Sequence, residues 1–469
     1  MNTIPSNGHP NTSNENFSQA EDRVDIVGGP WAIIESDPGI FTTVMQKLGI
    51  RRCEAAEVYS IESDGLSHLE PFNTSSQIHG LIFCSQVQTE SQLNMHDLPG
   101  DASGSEDVDF KEIWFANQLI HNACATQAIL NVIFNCPQLD IGAKLRNFKD
   151  FTRNMGPKMK GLALSNDLGI RDIHNTMARP ADLQDALHGL AKRTALTDSE
   201  KKRAAERAKR KNKPATKKKK KADEDEDEDD DSDGDTVYHY VGYVPFKGKV
   251  WELDGLRMGP LEVGEIPSAS RGNDDCSREW LEVVRPAIRI KIESLQGSGH
   301  DIRFNLLALV EGGWEKRSDE FELLRREKRA LERRLDNLDP AWKTKLADST
   351  LYSTAEATFS ARTDPGAFNP SFGFLSSERG KRVLELPEDQ ILQEWLRCCR
   401  EAQSVTTLLR EEQEKAQTWA TEDSKRTHNF EQFFQAFAEA LHEEGHLLPT
   451  LGLSDPTSVE ANPSNTQKE

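Results

Sequence analysis

The chain has no long apolar run. Stretches such as Leu306 to Val310 fall far short of the roughly 20 residues a membrane helix requires. Residues Met1 to Arg23 are polar and rich in Asn and Ser, without the apolar centre of a signal peptide. Cysteine is sparse: seven in 469 residues. An odd number cannot all pair, so no disulfide framework is expected. There is no C-x-x-C pair, and Cys398 and Cys399 are adjacent, which is poor spacing for zinc ligands. Neither a metal nor a cofactor is expected. Positive charge is not in excess either. The formal net charge is -20, and an acidic surface repels phosphates, so general nucleic-acid binding and membrane association are not expected. These absences indicate a protein of a reducing compartment, the nucleus and cytoplasm.

What is present is segregated. Hydrophobic residues make up 36% and charged residues 29% of the chain, so a substantial part should lie outside any packed core. Residues 1–29 read as disordered. Order begins at Trp31, where Ser36 or Asp37 can cap a helix with Pro38 at its first position. Residues His79 to Cys84, Val237 to Val244, Lys249 to Asp254 and Arg303 to Val310 read as strands. The loop between the middle two contains Pro245 and Gly248, the chemistry of a hairpin. Helical patterns run from Asn122 through Phe134, Lys144 to Met155, Asp167 to Ala178 and Trp280 to Ile292, where Pro286 could introduce a kink. Between 180 and 236 a Lys/Arg block gives way to an almost pure Asp/Glu run. Such blocks bury too little apolar area to offset their ordering entropy, and a flexible insertion is predicted. Residues 313–344 read as an exposed helix, 345–380 as a linker beyond which the chain should be separable, 381–452 as a helical unit, and 453–469 as a disordered tail. Strands with interleaved helices give an α/β (α+β) domain over 30–312.

One constellation carries chemistry. Cys124 stands two residues after Asn122, a good N-cap, and so falls in the first turn of a helix. The free N–H groups and positive dipole end there favour a thiolate. Gln118 lies six residues upstream, a spacing that lets its amide and the Cys124 N–H aim at one carbonyl oxygen. Downstream, a loop centred near Lys247 brings His239 within about one residue of facing Asp254, short range for a carboxylate that fixes an imidazole tautomer. Each piece has a plain alternative: a buried structural cysteine, a satisfied strand histidine, a turn aspartate. Their combination points to a thiol hydrolase.

The segment Asn117-Gln118-Leu119-Ile120-His121-Asn122-Ala123-Cys124-Ala125-Thr126-Gln127-Ala128 resembles the nucleophile segment of the ubiquitin C-terminal hydrolases. Tyr238 to Pro245 and Glu252 to Leu256 look like that family's His and Asp segments. Trp31 to Phe41 resembles its start, and Gly161 to Asn166 its middle. The resemblance implies a papain-like fold with Cys124 as nucleophile, His239 as base and then acid, and Asp254 orienting His239. Gln118 and the Cys124 N–H would stabilise the oxyanion. The substrates implied are ubiquitin and ubiquitin conjugates, cut after the C-terminal glycine of ubiquitin.

The insertion is a departure from the family, standing where members carry a crossover loop over the cleft. At roughly 55 residues it far exceeds the ~12–15 that usually mark a functional loop. It could admit larger adducts or occlude the cleft. Its basic clusters, Lys201-Lys202-Arg203 and Lys217 to Lys221, admit a solvated charge run, nuclear import recognition, or, less readily beside the acidic run, nucleic-acid binding. Lys425 to Phe430 and the Phe-rich helix after it are similar to the extension of the long, proteasome-associated members, which binds a proteasomal ubiquitin receptor. Phe430, Phe433, Phe434 and Phe437 fit either an internal helical core or a partner-binding face. The expectation is a deubiquitinase docked to the proteasome. The alternatives are a chromatin-associated histone deubiquitinase of the same family and a non-catalytic ubiquitin-binding module.

Overall fold

The computed structural model describes residues 29–61, 78–87, 112–191, 237–267, 279–296, 304–346, 350–363 and 368–447. The charged residues 192–236, the N-terminal residues 1–28, residues 88–111 and residues 448–469 are among those that lie outside it. In chain order the first elements are α1 (Pro38–Leu48), β1 (Glu54–Glu57), β2 (Ile78–Val87), α2 (Cys124–Ile133), α3 (Gly142–Thr152), α4 (Pro157–Asn166) and α5 (Leu168–Asn175). A helix over 180–191 follows, then β3 (Val237–Phe246), β4 (Lys249–Asp254), β5 (Leu261–Glu265), α6 (Glu279–Gln296) and β6 (Phe304–Val310). The remaining elements are α7 (Gly313–Leu338), α8 (Leu351–Phe359), α9 (Phe372–Glu385), α10 (Ile391–Thr427) and α11 (Glu431–Glu443).

The strands form one six-stranded antiparallel sheet in the order β1-β6-β2-β3-β4-β5. Alternation along each strand feeds two cores. Ile82, Cys84, Tyr240, Val244, Leu307 and Leu309 join the layer of α1 to α5, while Leu81, Phe83, Val241, Tyr243, Leu306 and Ala308 face α6 through Trp280, Leu281, Val284 and Ile288. The Asp37 carboxylate accepts the Ile40 N–H at 3.0 Å and caps α1. β3 and β4 are joined by Lys247 and Gly248, both in the left-handed region at φ +51° and +77°, a two-residue turn of the kind that matches the right-handed twist of the flanking strands. Two elements escape the periodicity reading, β1 (Glu-Ala-Ala-Glu) and β5: neither has an alternating apolar side.

Three expectations are corrected. The insertion does not begin at 180, because residues 180–191 are helical and bring Leu183 and Ala186 onto the main core. The predicted linker 345–380 instead contains α8 and α9, whose Phe359, Phe372 and Val383 are buried. The predicted exposed helix, α7, buries ten residues. Its Phe321, Leu324, Leu331 and Leu335 form a third core with Val383, Ile391, Trp395, Cys398 and Ala402. The charges of α7 concealed this, since several are themselves buried. The Glu327 side chain is fully covered and accepts from Arg379 at 3.1 Å and from Arg382 and Arg397 at 2.9 Å. A buried carboxylate without such partners would cost several kcal/mol. Among the described residues this helical unit meets the sheet domain near Arg52, which binds Asp319 at 2.8 Å, and Asn369 donates to Glu311 at 3.1 Å. Further along, Lys415 of α10 binds Glu54 at 3.2 Å, and Trp419 packs over Gly39.

Candidate active site

Cys124 opens α2, but not in the way its sequence indicates. A 3-10 turn, His121–Ala123, precedes it, and the cap residue is Ala123, without a side-chain cap. The Asn122 amide turns away and donates to the Trp31 carbonyl at 2.8 Å. Asn122 thus ties the nucleophile segment to the N-terminal strap. The same strap is held from α5: Ala32 N–H donates to Asn175 Oδ1 at 3.0 Å, and Asn175 Nδ2 donates to the Pro30 carbonyl at 2.9 Å. His174 Nε2 lies 2.7 Å from the Ala32 carbonyl and so must donate to it. Its Nδ1 then accepts from Thr126 Oγ1 at 2.8 Å, in the first turn of α2. Burial lowers His174 to about 4, which keeps this imidazole neutral.

The Cys124 Sγ–H donates to the Tyr238 carbonyl at 3.7 Å, one residue before His239. Burial pushes the thiol up to about 12, with Cys84 adding to the shift and the N–H groups of Ala125 and Cys124 opposing it. The helix dipole that favours a thiolate, worth only about 0.3–1 kcal/mol, is thus opposed by desolvation.

His239 and Asp254 are both buried. Val241 is the residue that faces Asp254, so the two side chains form a diagonal pair on one face, one step further from register than the hairpin spacing implies. His239 Nε2 reaches Asp254 Oδ1 at 2.8 Å, and the Leu256 N–H donates to the same oxygen at 3.0 Å. Burial opposes the Asp254 charge, but His239, Lys291 and the Leu256 N–H outweigh it and hold the carboxyl at about 2. An ionised carboxylate only accepts, so Nε2 carries the proton and Nδ1 the lone pair.

Gln118 is buried, and its N–H donates to the Gly255 carbonyl at 2.8 Å. The structure thus places Gln118 beside the loop that follows Asp254, and Cys124 beside the strand that carries His239. The irregular segment leading to Gln118 is stitched to α2 by side chains that the sequence reading overlooked. Asn131 exchanges two hydrogen bonds with the backbone of Ala116, at 2.9 and 3.3 Å, and Asn135 does the same with Trp114, both at 2.8 Å. Gln127 Nε2 donates to the Ala116 carbonyl at 2.6 Å. These amides imitate a strand neighbour. Their signal was visible: Gln127, Asn131 and Asn135 recur every fourth position on an otherwise apolar helix. Among the described residues no group of three or more His, Cys, Asp or Glu is placed to hold a metal, and no helix is long and apolar enough to cross a membrane.

The antiparallel sheet with a buried cysteine at the start of its central helix is the papain-like α+β fold of cysteine hydrolases. Residues 31–293 match ubiquitin carboxyl-terminal hydrolase, family 1, and residues 402–447 match a second pattern described as ubiquitin carboxyl-terminal hydrolases. The chain belongs to this family and is a cysteine-type ubiquitin C-terminal hydrolase. It is 28% identical over 422 residues to ubiquitin carboxyl-terminal hydrolase isozyme L5 of Dictyostelium discoideum, covering 90% of this chain and 94% of that one. Similarity to BAP1 of Xenopus tropicalis, 30% over 286 residues, covers 60% of this chain and 34% of that protein. A solved catalytic domain, Trichinella spiralis UCH37 bound to ubiquitin vinyl methyl ester, is 30% identical, covering 61% of this chain and 97% of that one, with a TM-score of 0.39.

Proposed function

We propose that Cys124 is the nucleophile of this hydrolase, with His239 as its base and then acid, Asp254 as the group that orients His239, and Gln118 with the Cys124 N–H as oxyanion donors. The observation that carries this is the His239–Asp254 bond at 2.8 Å beside the strand carbonyl that holds the Cys124 thiol. With Nε2–H committed to Asp254, the His239 Nδ1 lone pair takes the Cys124 proton. Sγ then attacks the carbonyl carbon of the terminal glycine. The oxyanion forms against the N–H of Cys124 and the Gln118 amide. His239 then protonates the leaving amine, and water releases ubiquitin by the reverse path. Reaction with ubiquitin vinyl methyl ester followed by peptide mapping tests the nucleophile. The adduct belongs on Cys124, and an adduct on Cys136 or Cys84 sinks the assignment.

The extension is proposed to dock the enzyme to a proteasomal ubiquitin receptor. Phe430, Phe433, Phe434 and Phe437 are exposed by 47%, 61%, 62% and 53%, and no residue of α11 is buried. That favours the partner-binding face over the internal core. The isozyme L5 relative spans nearly the whole chain, extension included, whereas BAP1 matches over 60% of it, which favours proteasome over chromatin. The basic clusters at 201–203 and 217–221 support a nuclear as well as a cytoplasmic population. Capture from native extract by the full chain, read by mass spectrometry, should return proteasome subunits. Chromatin complexes in their place would select the alternative.

A further inference from the structure

Asn117 precedes the oxyanion donor and is 1% exposed. Its Nδ2 donates to the Arg257 carbonyl at 2.6 Å and to the Gly255 carbonyl at 3.2 Å. Its N–H donates to the Pro157 carbonyl at 3.0 Å, at the start of α4. The fit around it is close. A Cβ on Gly161 would lie 2.1 Å from the Asn117 carbonyl oxygen, and one on Gly255 would lie 3.0 Å from Gln118 Cβ. The loop that receives the Asn117 amide is the same loop whose Leu256 N–H holds Asp254. Two parts of the site that are 137 residues apart in sequence, Gln118 and Gly255, thus meet through one backbone bond and one side-chain amide.

We propose that Asn117 is a positioning residue for the oxyanion donors: its amide clamps the Gln118 segment to the Asp254 loop and fixes the separation between Gln118 and the His239–Asp254 pair. The proposal rests on the oxyanion role given to Gln118 above. Asparagine suits the task because a short, planar amide offers two N–H donors to two carbonyls on one loop. An aspartate there could donate to neither.

The test measures kcat and KM of Asn117→Ala on a fluorogenic ubiquitin C-terminal amide, and the rate of labelling by ubiquitin vinyl methyl ester. Labelling adds Cys124 to an alkene carbon and passes through no tetrahedral oxyanion at the scissile carbon. We expect kcat to fall about 10- to 100-fold, the scale of a donor misplaced by about 1 Å, with KM and labelling changed by less than about 3-fold. In a Gln118→Ala background, Asn117→Ala should add almost nothing, since residues acting as a unit are not additive. Labelling that falls in step with hydrolysis, or losses that multiply in the double variant, would overturn the proposal. A Gln118→Ala enzyme of normal kcat would sink the role of Gln118 and this one with it. An enzyme sensitive to Gln118→Ala but indifferent to Asn117→Ala would overturn the clamp alone.

Discussion

Helices α2 and α11 have ten and thirteen residues, yet every residue of α2 is buried and none of α11 is. Both have apolar sides. The difference lies in what the rest of the chain supplies. α2 is enclosed by the sheet, α1 and the stitched segment before Gln118, so its first residue is buried. α11, with Phe430 before it and Phe433, Phe434 and Phe437 on it, extends beyond the third core with these four rings exposed, and exposed aromatic area of that kind on a folded chain is characteristic of interaction surfaces. One helix gets its chemistry from being covered by its own chain. The other awaits a cover from outside.

The comparison breaks most sharply at the nucleophile. Cys124→Ala should lower hydrolysis of a ubiquitin C-terminal amide by about 10⁴-fold or more and leave the fold intact. Cys136→Ala, whose thiol only donates to the His79 and Val132 carbonyls at 3.4 Å, should remain active. Asp254→Asn should lower kcat by roughly 10²- to 10⁴-fold with little change in KM, because an amide favours the wrong imidazole tautomer. The same variant sharpens the electrostatics. The Asp254 carboxyl is held at about 2 in the fold, below an ordinary value near ~3.9. Its contribution to stability is thus present above about pH 4 and lost as pH falls towards 2. The stability gap between wild type and Asp254→Asn, read from urea midpoints, should close by about 2 kcal/mol over that window. A gap that stays constant would refute the pairing.

Effects in the extension are smaller. Trp395→Ala removes a fully buried ring from the third core and should cost about 3–5 kcal/mol in chemical denaturation. Ending the chain at Thr350 would strip α7 of α9 and α10, so that product should aggregate in size-exclusion chromatography, whereas a chain ending at Gly312 stays monodisperse and active. Phe434→Glu should change stability by less than about 0.5 kcal/mol and leave hydrolysis of small adducts untouched, while capture of the partner is lost. Loss of helicity instead would show that α11 packs on its own chain.

The sequence made the sheet domain more legible than the extension, for a physical reason. In β2, β3, β4 and β6 the apolar residues are continuous or alternate cleanly, and Gln118, Cys124, His239 and Asp254 sit at turns and ends where polar residues stand out. In α7, burial is shared with charge. Glu327 is buried, and its partners lie on α9 and α10, up to 70 residues away. No window along the sequence contains both halves of such a pair. The Ser, Thr, Gly and Pro content of 345–380 likewise hid α8 and α9, although Phe359 and Phe372 were the anchors to notice. At Cys124 the dipole is set by the helix, but the desolvation that opposes it is set by everything packed around it, which no local window contains.

α10 runs unbroken for 37 residues, which at 1.5 Å per residue is about 55 Å. It is pinned near its beginning by Trp395 in the third core and near its end by Trp419 on Gly39. α11 follows it after only three residues, His428 to Phe430. A hydrolase tethered by a loose linker samples a sphere of positions around its anchor. If α11 docks as proposed, the mount behaves like the arm of a compass, with the cleft held at a set radius and bearing from the partner. Conjugates presented elsewhere on such an assembly would go uncut, so selectivity among them would become a matter of where they are threaded as much as of what they are.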